Sequence, residues 1–586
     1  MSQDFGLDRS GNTNHWAVNN MTYSDQMLDS PTNNFATFNP LEAPYSSIGS
    51  HTYSEGNLQV VTPNSGSGNT FSTIGVTSGK WYAEFYIKAY TSLPRWLVGV
   101  TGDLDATFQA GTNVGSLSGA RDVGYMGNDG DKFVSGSESS YGSAFSNGDI
   151  IGVVLDVDND TVNFYHNNVA KGNITIASTG TWHIGIGDVS GGGGGTVVAN
   201  FGQDSSFAGA ATAQGNQDGN DIGDFYYTPP TGFLALCTSN LDTPAVIPSE
   251  HFNTVLYSGN GSTQSITGVG FQPDFSWFKN RNSTQGHELF DAVRGVANSL
   301  RSHNTDAENT DSPNDRLTSF DSDGFSLGDD GNPNNGSNTY VAWNWKANGS
   351  GSANTVGDID STVSVNTDAK FSVVSYTGVG GEPKTVAHGL GVSPEMVIIK
   401  KRNNNGSWVV WHKDLADNYA FEGLDTNAAA VNGGSPISKY VDAVSSTLVT
   451  LGDASENNNS GDTFIMYCWA SVDGYSKVGA YTGNDSTDGP FVYTGFRPAW
   501  VMTKSIGTGN HWWIIDNKRD TYNEADAGLL PNSDAADMGI YPNKDLLSNG
   551  FKIRTDNGQS NGSNSGTPGY IYIAFAETPF KYSNAR

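Results

Sequence analysis

Asp156, Asp158 and Asp160 stand at alternate positions in the run Asp156-Val-Asp-Asn-Asp160, a spacing at which three carboxylates can converge on a hard cation such as calcium. The run lacks the glycine and closing glutamate of an EF-hand loop, and the same residue types satisfy backbone donors in a hairpin turn. A turn is the expectation. Asp321-Ser-Asp-Gly324 and Asp329-Asp-Gly-Asn332 are read the same way, with more room for an ion because the two lie close in sequence. Glycan hydrolysis would need two carboxylates at a fixed separation, one with a raised pKa. The 60 acidic residues fall mostly in Asn/Gly/Ser turns, where solvent exposure does little to raise a pKa. No Gly-x-Ser-x-Gly elbow, His-Glu-x-x-His pair, Walker loop or Cys-x-x-Cys occurs. The 10 histidines are scattered singly. Of these, His166, His183, His287 and His412 lie in strand-like pieces and are expected to pack or face solvent rather than bind metal. No catalytic, cofactor-binding or metal residue is nominated, no cofactor is implied, and the chain is expected to be non-enzymatic.

Two further features invite a binding role. Gly191 to Gly195 is a run of five glycines, but a phosphate cradle would need a helix after it, and Thr196-Val-Val-Ala-Asn-Phe201 reads as a strand. A hairpin tip is expected. Trp343, Trp345, Trp408, Trp411, Trp512 and Trp513 could stack on sugar faces. Adjacent strand residues point to opposite faces, so Trp512 and Trp513 are both core only if their strand is covered on both sides. An interface is favoured over glycan contact, since small domains need large side chains to fill them.

The elements that would position these residues are short strands. Gly 73, aromatic residues at 11% and abundant Ser, Thr and Asn describe strands joined by many turns. At 586 residues the chain can hold three to five domains. A net charge of -30 argues against a nucleic-acid partner, which requires neutralising cations, and resists self-association. Cys237 and Cys468 fall in different segments and are expected as buried free thiols. No run approaches the length of a membrane span, so no membrane insertion is expected, and Met1-Ser-Gln-Asp-Phe-Gly does not open a signal peptide.

Three segments of about a hundred residues repeat a pattern. Each opens Tyr257-Ser-Gly259, Tyr376-Thr-Gly378 or Tyr481-Thr-Gly483, and each then reaches Phe271-Gln-Pro273, Val392-Ser-Pro394 or Phe496-Arg-Pro498. An apolar run meeting Lys279, Lys400 or Lys504 follows. The copies close on Thr339 to Trp345, Thr463 to Trp469 and Tyr570 to Phe575. A period of this length is domain-sized. Residues 1–45, broken by Asn and Pro, read as an N-terminal arm or an irregular first strand. The remaining divisions are residues 46–248 as one β-sandwich, 251–348 as repeat one, 349–367 as a Gly/Ser/Asn-rich linker, 368–473 as repeat two and 474–586 as repeat three. Loops that differ among copies, Gly507 to Trp513 and Ala525 to Lys544, are the places where recognition is expected.

Within 46–248, Gly79-Lys-Trp-Tyr-Ala-Glu-Phe, Val98-Gly-Val100, the hairpin Gly148-Asp-Ile-Ile-Gly-Val-Val-Leu-Asp156 to Val162-Asn-Phe-Tyr, and Asn200-Phe-Gly202 resemble the SPRY (B30.2-like) domain in order and spacing. That resemblance implies a bent antiparallel sandwich that binds protein or glycan through its loops. A PRY segment is missing, so the family's peptide pocket is not carried over. In the hairpin, Ile151, Val153 and Leu155 form the face expected in the core. Tyr257-Ser-Gly, Gly270-Phe-Gln-Pro-Asp274, His287 to Gly295, Ser319 to Gly328 and Thr339 to Lys346 resemble a repeated β module of tailed-bacteriophage virion proteins, where it often follows a SPRY-like domain. Repeat two lacks the Asp-Gly-Phe box and repeat three keeps Ser548-Asn-Gly-Phe-Lys-Ile553.

The fold expected is all-β: a SPRY-like sandwich followed by three related small β-sandwich domains. The resemblances imply a structural protein on the virion exterior, made in the host cytoplasm. Tail fibre or tailspike-like attachment is the first reading, with a capsid head-fibre or decoration protein and a polysaccharide depolymerase as alternatives. The implied partners are two further copies in a homotrimer, other virion proteins and a host-surface glycan or protein.

Overall fold

The computed structural model describes residues 6–8, 10–17, 19, 28–30, 32–42, 51–62, 68–90, 96–104, 114–188, 194–310, 316–329, 331–381, 383–415, 422–430, 440–507, 509–539, 543–561 and 569–582. Strands dominate, and among the described residues no helix is long and apolar enough to cross a membrane. The chain divides into two compact units, residues 1–242 and 243–586.

The first unit is built on two antiparallel sheets. The larger runs Thr52–Ser54, Gln59–Val61, Gly195–Asn200, Lys80–Tyr90, Ile150–Asp156, Thr161–His166 and Val169–Thr175, with Leu234–Ala235 added in parallel to Lys80–Tyr90. The smaller runs Asn69–Phe71, His183–Asp188, Trp96–Thr101, Asp122–Met126, Asp131–Val134 and Ser137–Ser140. The hairpin read from the sequence pairs Val153 with Phe164 and Leu155 with Val162. Its other face is also buried, because Val154 packs with Tyr82, Phe225 and Cys237. The arm is held by contacts elsewhere in the unit. Phe35 and Phe38 are buried, and the Ala36 amide donates to Leu236 O at 2.9 Å. Residues 1–5, 9, 18, 20–27, 31 and 43–45 of the arm lie outside the described set.

The second unit contains the three repeats, and each is a two-sheet sandwich. The inner sheet of repeat one is ordered Phe252–Ser258, Thr339–Trp345, Phe275–Asn280, Glu288–Asp291. Repeat three matches it with Ser476–Tyr481, Tyr570–Pro579, Phe496–Ser505, Trp513–Asp516. Repeat two has the same four, Phe371–Thr377, Thr463–Trp469, Met396–Lys401 and Val409–His412, extended by Glu422–Gly423 at one edge. At the other edge it gains Ser361–Asn366 and Ser352–Asn354. Residues 349–367 are thus strands of repeat two rather than a linker. Ile359 and Val363 enter that repeat's core, while exposed Ser352, Ala353 and Gly357 to Asp360 around them, Ile359 apart, give the segment its linker-like composition. The boundary before repeat one also moves: residues from Thr243 belong to the second unit, with Val246 in its core.

Alternation along the closing strands decides the packing. Tyr340 and Ala342 face a private core closed by the small sheet Gln264–Thr267, Gly324–Leu327, Leu317–Asp321. Val341, Trp343 and Trp345 face the other way. The same split holds for Phe464, Met466 and Cys468 against Ile465, Tyr467 and Trp469, and for Tyr570, Tyr572 and Ala574 against Ile571, Ile573 and Phe575. All three second sets meet in one apolar core. The repeats are therefore not separate domains in tandem but three sandwiches joined through a common centre.

The opening landmarks are latches. Tyr257 stacks on Tyr340 at 5.2 Å, Tyr376 on Phe464 at 5.2 Å and Tyr481 on Tyr570 at 4.9 Å. Their hydroxyls donate to the carbonyls of Pro333, Asn457 and Ser560. The next residue in each case is a buried asparagine, Asn334, Asn458 or Asn561. Its Oδ1 accepts from the amide after the Tyr-x-Gly triplet, that of Asn260, Val379 or Asn484. Its Nδ2 donates to Gly328 O, Gly452 O or Thr555 O. Glycine is needed in the triplet because a Cβ on Gly259 would lie 2.2 Å from Asn335 O, and one on Gly378 2.4 Å from Asn459 O. Asn458→Ala strands buried backbone groups and is expected to destabilise the chain by about 1–3 kcal/mol. Urea unfolding followed by tryptophan fluorescence checks this.

Candidate functional site

None of the six tryptophans that could have stacked on sugars is available to do so. Trp343, Trp345, Trp408, Trp411, Trp512 and Trp513 are all at most 5% exposed. The strand at Trp513 is covered on both sides. The loops expected to carry recognition are joints instead: Leu529 and Leu530 are buried, and Ser302 Oγ donates to Pro531 O at 2.6 Å. Residues 508 and 540–542 of those loops lie outside the described set. The loops differ among copies because each meets a different neighbour.

The contacts between repeats run head to tail and close a ring. Nζ of Lys279 donates to Asp534 O in repeat three, Lys400 to Thr305 O in repeat one and Lys504 to Ala428 O in repeat two, at 2.8–3.2 Å. Each lysine also caps carbonyls of its own loop. Just before the strands Val409–His412 and Trp513–Asp516, Trp408 Nε1 donates to Arg301 O at 2.9 Å and Trp512 Nε1 to Gly423 O at 2.8 Å. His287 Nε2 lies 2.9 Å from Leu530 O. Repeat one reaches three, three reaches two, and two reaches one. Such a cyclic order of non-identical contacts is closed threefold packing within a single chain.

Two joints carry buried ionic clamps. Between repeats one and two, Arg294 holds Asp291 and Glu308, and Glu308 reaches Arg402 at 2.8 Å. Tyr467 donates to Asp291 at 2.8 Å. Between three and one, Arg519 holds Asp516 and Asp537, Asp537 reaches Arg281 at 2.9 Å, and Trp343 donates to Asp516 at 3.0 Å. Burial alone would raise the Glu308 carboxyl, but Arg402 and Arg294 hold it below the usual range. The third joint differs. His412 and Leu415 replace Asp and Arg in the matching positions, and Lys504 lies 3.2 Å from buried Glu422. There burial pushes the carboxyl up and the ammonium down.

The remaining sequence candidates are structural. Asp156 accepts from the Asn159 amide and pairs with Lys80 at 2.8 Å, and Asp158 accepts from the Gly79 amide, so the run is a turn. Asp321 accepts from Ser319 and Ser326, and Asp323 from the amides of Gly268 and Gly270. Asp330 lies outside the described residues, as do Gly191 to Gly193. Gly195 begins a strand. His183 Nδ1 lies 2.9 Å from Ser72 O, and His412 Nε2 3.3 Å from Tyr572 O. Among the described residues no three His, Cys, Asp or Glu side chains are grouped to hold a metal. Exposed aromatics include Trp16 at 80% and Tyr522 at 85%.

Two outcomes test this reading of the joints. Arg294→Ala leaves Asp291 and Glu308 buried without their cation and is expected to cost about 3–5 kcal/mol, whereas Lys80→Ala at the surface turn leaves the urea midpoint nearly unchanged. Burial also lowers Lys279 and Lys400 to about 8. Their unfolded value is about 10.4, so between these values the unfolded chain binds more protons and stability rises with pH. Melting temperature should climb from pH 8 to about 9.5, and Lys400→Met should flatten the climb.

The family model for the SPRY domain matches residues 80–181. Solved structures similar to this chain include the SPRY domain of human HERC1, at 21% identity over 28% of this chain and 96% of that one, with a TM-score of 0.23. A human SPRY domain is 17% identical over 26% of this chain and 96% of that one, with a TM-score of 0.21. Stonustoxin is 17% identical over 28% of this chain and 27% of that one, with a TM-score of 0.23. No curated protein matches. A second family model, described as a domain of unknown function (DUF7483), matches residues 247–579, the segment that forms the ring, and the chain belongs to that family.

Proposed function

We propose that the chain is a structural protein on the exterior of a tailed-phage virion, acting in attachment to the host surface as a tail fibre or tailspike-like protein. The observation that carries this reading is the series of landmarks resembling a repeated phage virion module, placed after a SPRY domain. The ring adds physical support. Three sandwiches clamped around one core make a stiff body, as an exposed appendage requires, and no chemistry is needed for that role. The net charge of -30 keeps such bodies apart in solution.

Recognition of a glycan or protein falls in this reading to loops of the SPRY unit and to exposed Tyr522, since the six candidate tryptophans of the repeats are interior. A capsid head-fibre or decoration protein is the second reading. It is favoured by the lack of a heptad segment that could form a trimeric stalk. Assembly as a homotrimer belongs to the proposal, and light scattering at three times the chain mass is the expected result.

Immunogold labelling of intact particles decides the location. Label on tail appendages supports the attachment reading, label confined to the capsid supports decoration, and particles without label reject both. Release of new reducing ends from host capsule or lipopolysaccharide would replace them with a depolymerase.

A further inference from the structure

The first unit contains a cluster to which the attachment reading assigns no chemistry. Ser143 lies in the connection between strands Ser137–Ser140 and Ile150–Asp156, and it is exposed. Its Oγ is 3.2 Å from Nδ1 of His166, the last residue of strand Thr161–His166. Nε2 of the same ring is 2.9 Å from Oδ2 of Asp149. Asp149 is fixed by Asn167 Nδ2 at 2.8 Å and the Ser146 amide at 2.6 Å. Burial alone would raise its carboxyl, but donors from Asn167, His166 and Ser146 hold it below the usual range. The imidazole is 8% exposed and meets Tyr125 and Phe145 edge-on, at 6.3 and 5.8 Å between centroids.

The surrounding bonds place the protons. An ionised carboxylate only accepts, so Nε2 carries the proton toward Asp149 and Nδ1 is left as an acceptor. Tyr125 Oη also lies 3.2 Å from Nδ1, but it donates to Ser143 O at 2.7 Å and accepts from the Ser143 amide at 3.1 Å. Its proton is therefore committed, and the Ser143 hydroxyl is the donor to the ring. Gly142 lets the segment approach this closely, since a Cβ there would lie 2.4 Å from Tyr125 Oη. The Ala144 amide meets no acceptor among the described residues. The residue after a nucleophilic serine commonly supplies an oxyanion donor.

We propose that Ser143 and His166, oriented by Asp149, form a nucleophile and base that hydrolyse short acyl esters such as O-acetyl groups. Gly142, Ser143 and Ala144 are all exposed, so nothing there encloses a long acyl chain. In the first step Ser143 Oγ bonds to the ester carbonyl carbon while its proton passes to His166 Nδ1. The carbon–oxygen bond to the alcohol breaks, and the departing oxygen takes that proton. Water then adds to the acyl carbon and gives its proton to Nδ1, and Ser143 Oγ leaves with it. The sum is ester plus water to acid plus alcohol. The ring nitrogens are reversed relative to the familiar serine-protease order, in which Nε2 faces the hydroxyl. The relay is independent of where the chain sits in a particle.

The full-length protein is treated with a fluorophosphonate probe and, separately, with 4-nitrophenyl acetate. Labelling of Ser143 located by peptide mass spectrometry is the expected result, with Ser143→Ala lowering ester turnover at least tenfold at an unchanged melting temperature. Asp149→Asn should slow labelling, and Asp149→Glu should recover part of that loss. Label that is absent or on another residue, or Ser143→Ala turning over ester at the parent rate, would overturn the assignment.

Discussion

Each inner sheet of the ring is apolar on both faces, and a two-layer sandwich can cover only one. This constraint governs residues 243–586. The small sheet of each repeat takes the face carrying Tyr340, Phe464 or Tyr570, which leaves the face carrying Trp343, Tyr467 or Ile573 unsatisfied. Burial of such aromatic area is the dominant favourable term available to small sandwiches. Three exposed faces that meet at one centre satisfy each other. The fit is close: the cavity among Phe275, Trp345, Met396, Trp469, Trp500 and Phe575 has a volume of about 10 Å³, room for no more than one water.

A shared apolar centre does not by itself fix which repeat follows which. The polar rim supplies that order. Carbonyls at the joints are capped by lysines, indoles and an imidazole drawn from the neighbouring copy, and a buried donor without its acceptor is expensive. The arginine clamps contribute direction more than net stability, because desolvation offsets much of their attraction. With Leu415 in the arginine position, the joint between repeats two and three relies on Glu422 and Lys504.

The repeat itself was legible in the sequence because its landmarks perform the same contact three times: Tyr stacks and donates, Gly allows a carbonyl to approach, Lys caps a loop. The asparagine latch was not. Asn334 and Asn458 both stand five residues before the closing strand's threonine, but in an Asn-rich chain that spacing is hidden among many like residues, and Asn561 stands further off. Alternating aromatics told that the closing strands are buried on both faces, yet not what covers them, since the partner faces lie a hundred residues away. Residues 349–367 misled through composition, their Ser and Asn outweighing the Ile359 and Val363 that enter the core. The Ser143, His166 and Asp149 grouping could not be read either, because it depends on the register that sets His166 opposite Ile151.

If one core joins the three repeats, they must unfold together. Native-state hydrogen exchange on the whole chain, read at increasing denaturant, measures the opening free energy of each strand. The account predicts that the slowest amides of Thr339–Trp345, Thr463–Trp469 and Tyr570–Phe575 converge on one value and one denaturant dependence. A repeat whose closing strand opens alone, at a free energy several kcal/mol below the other two, would contradict it.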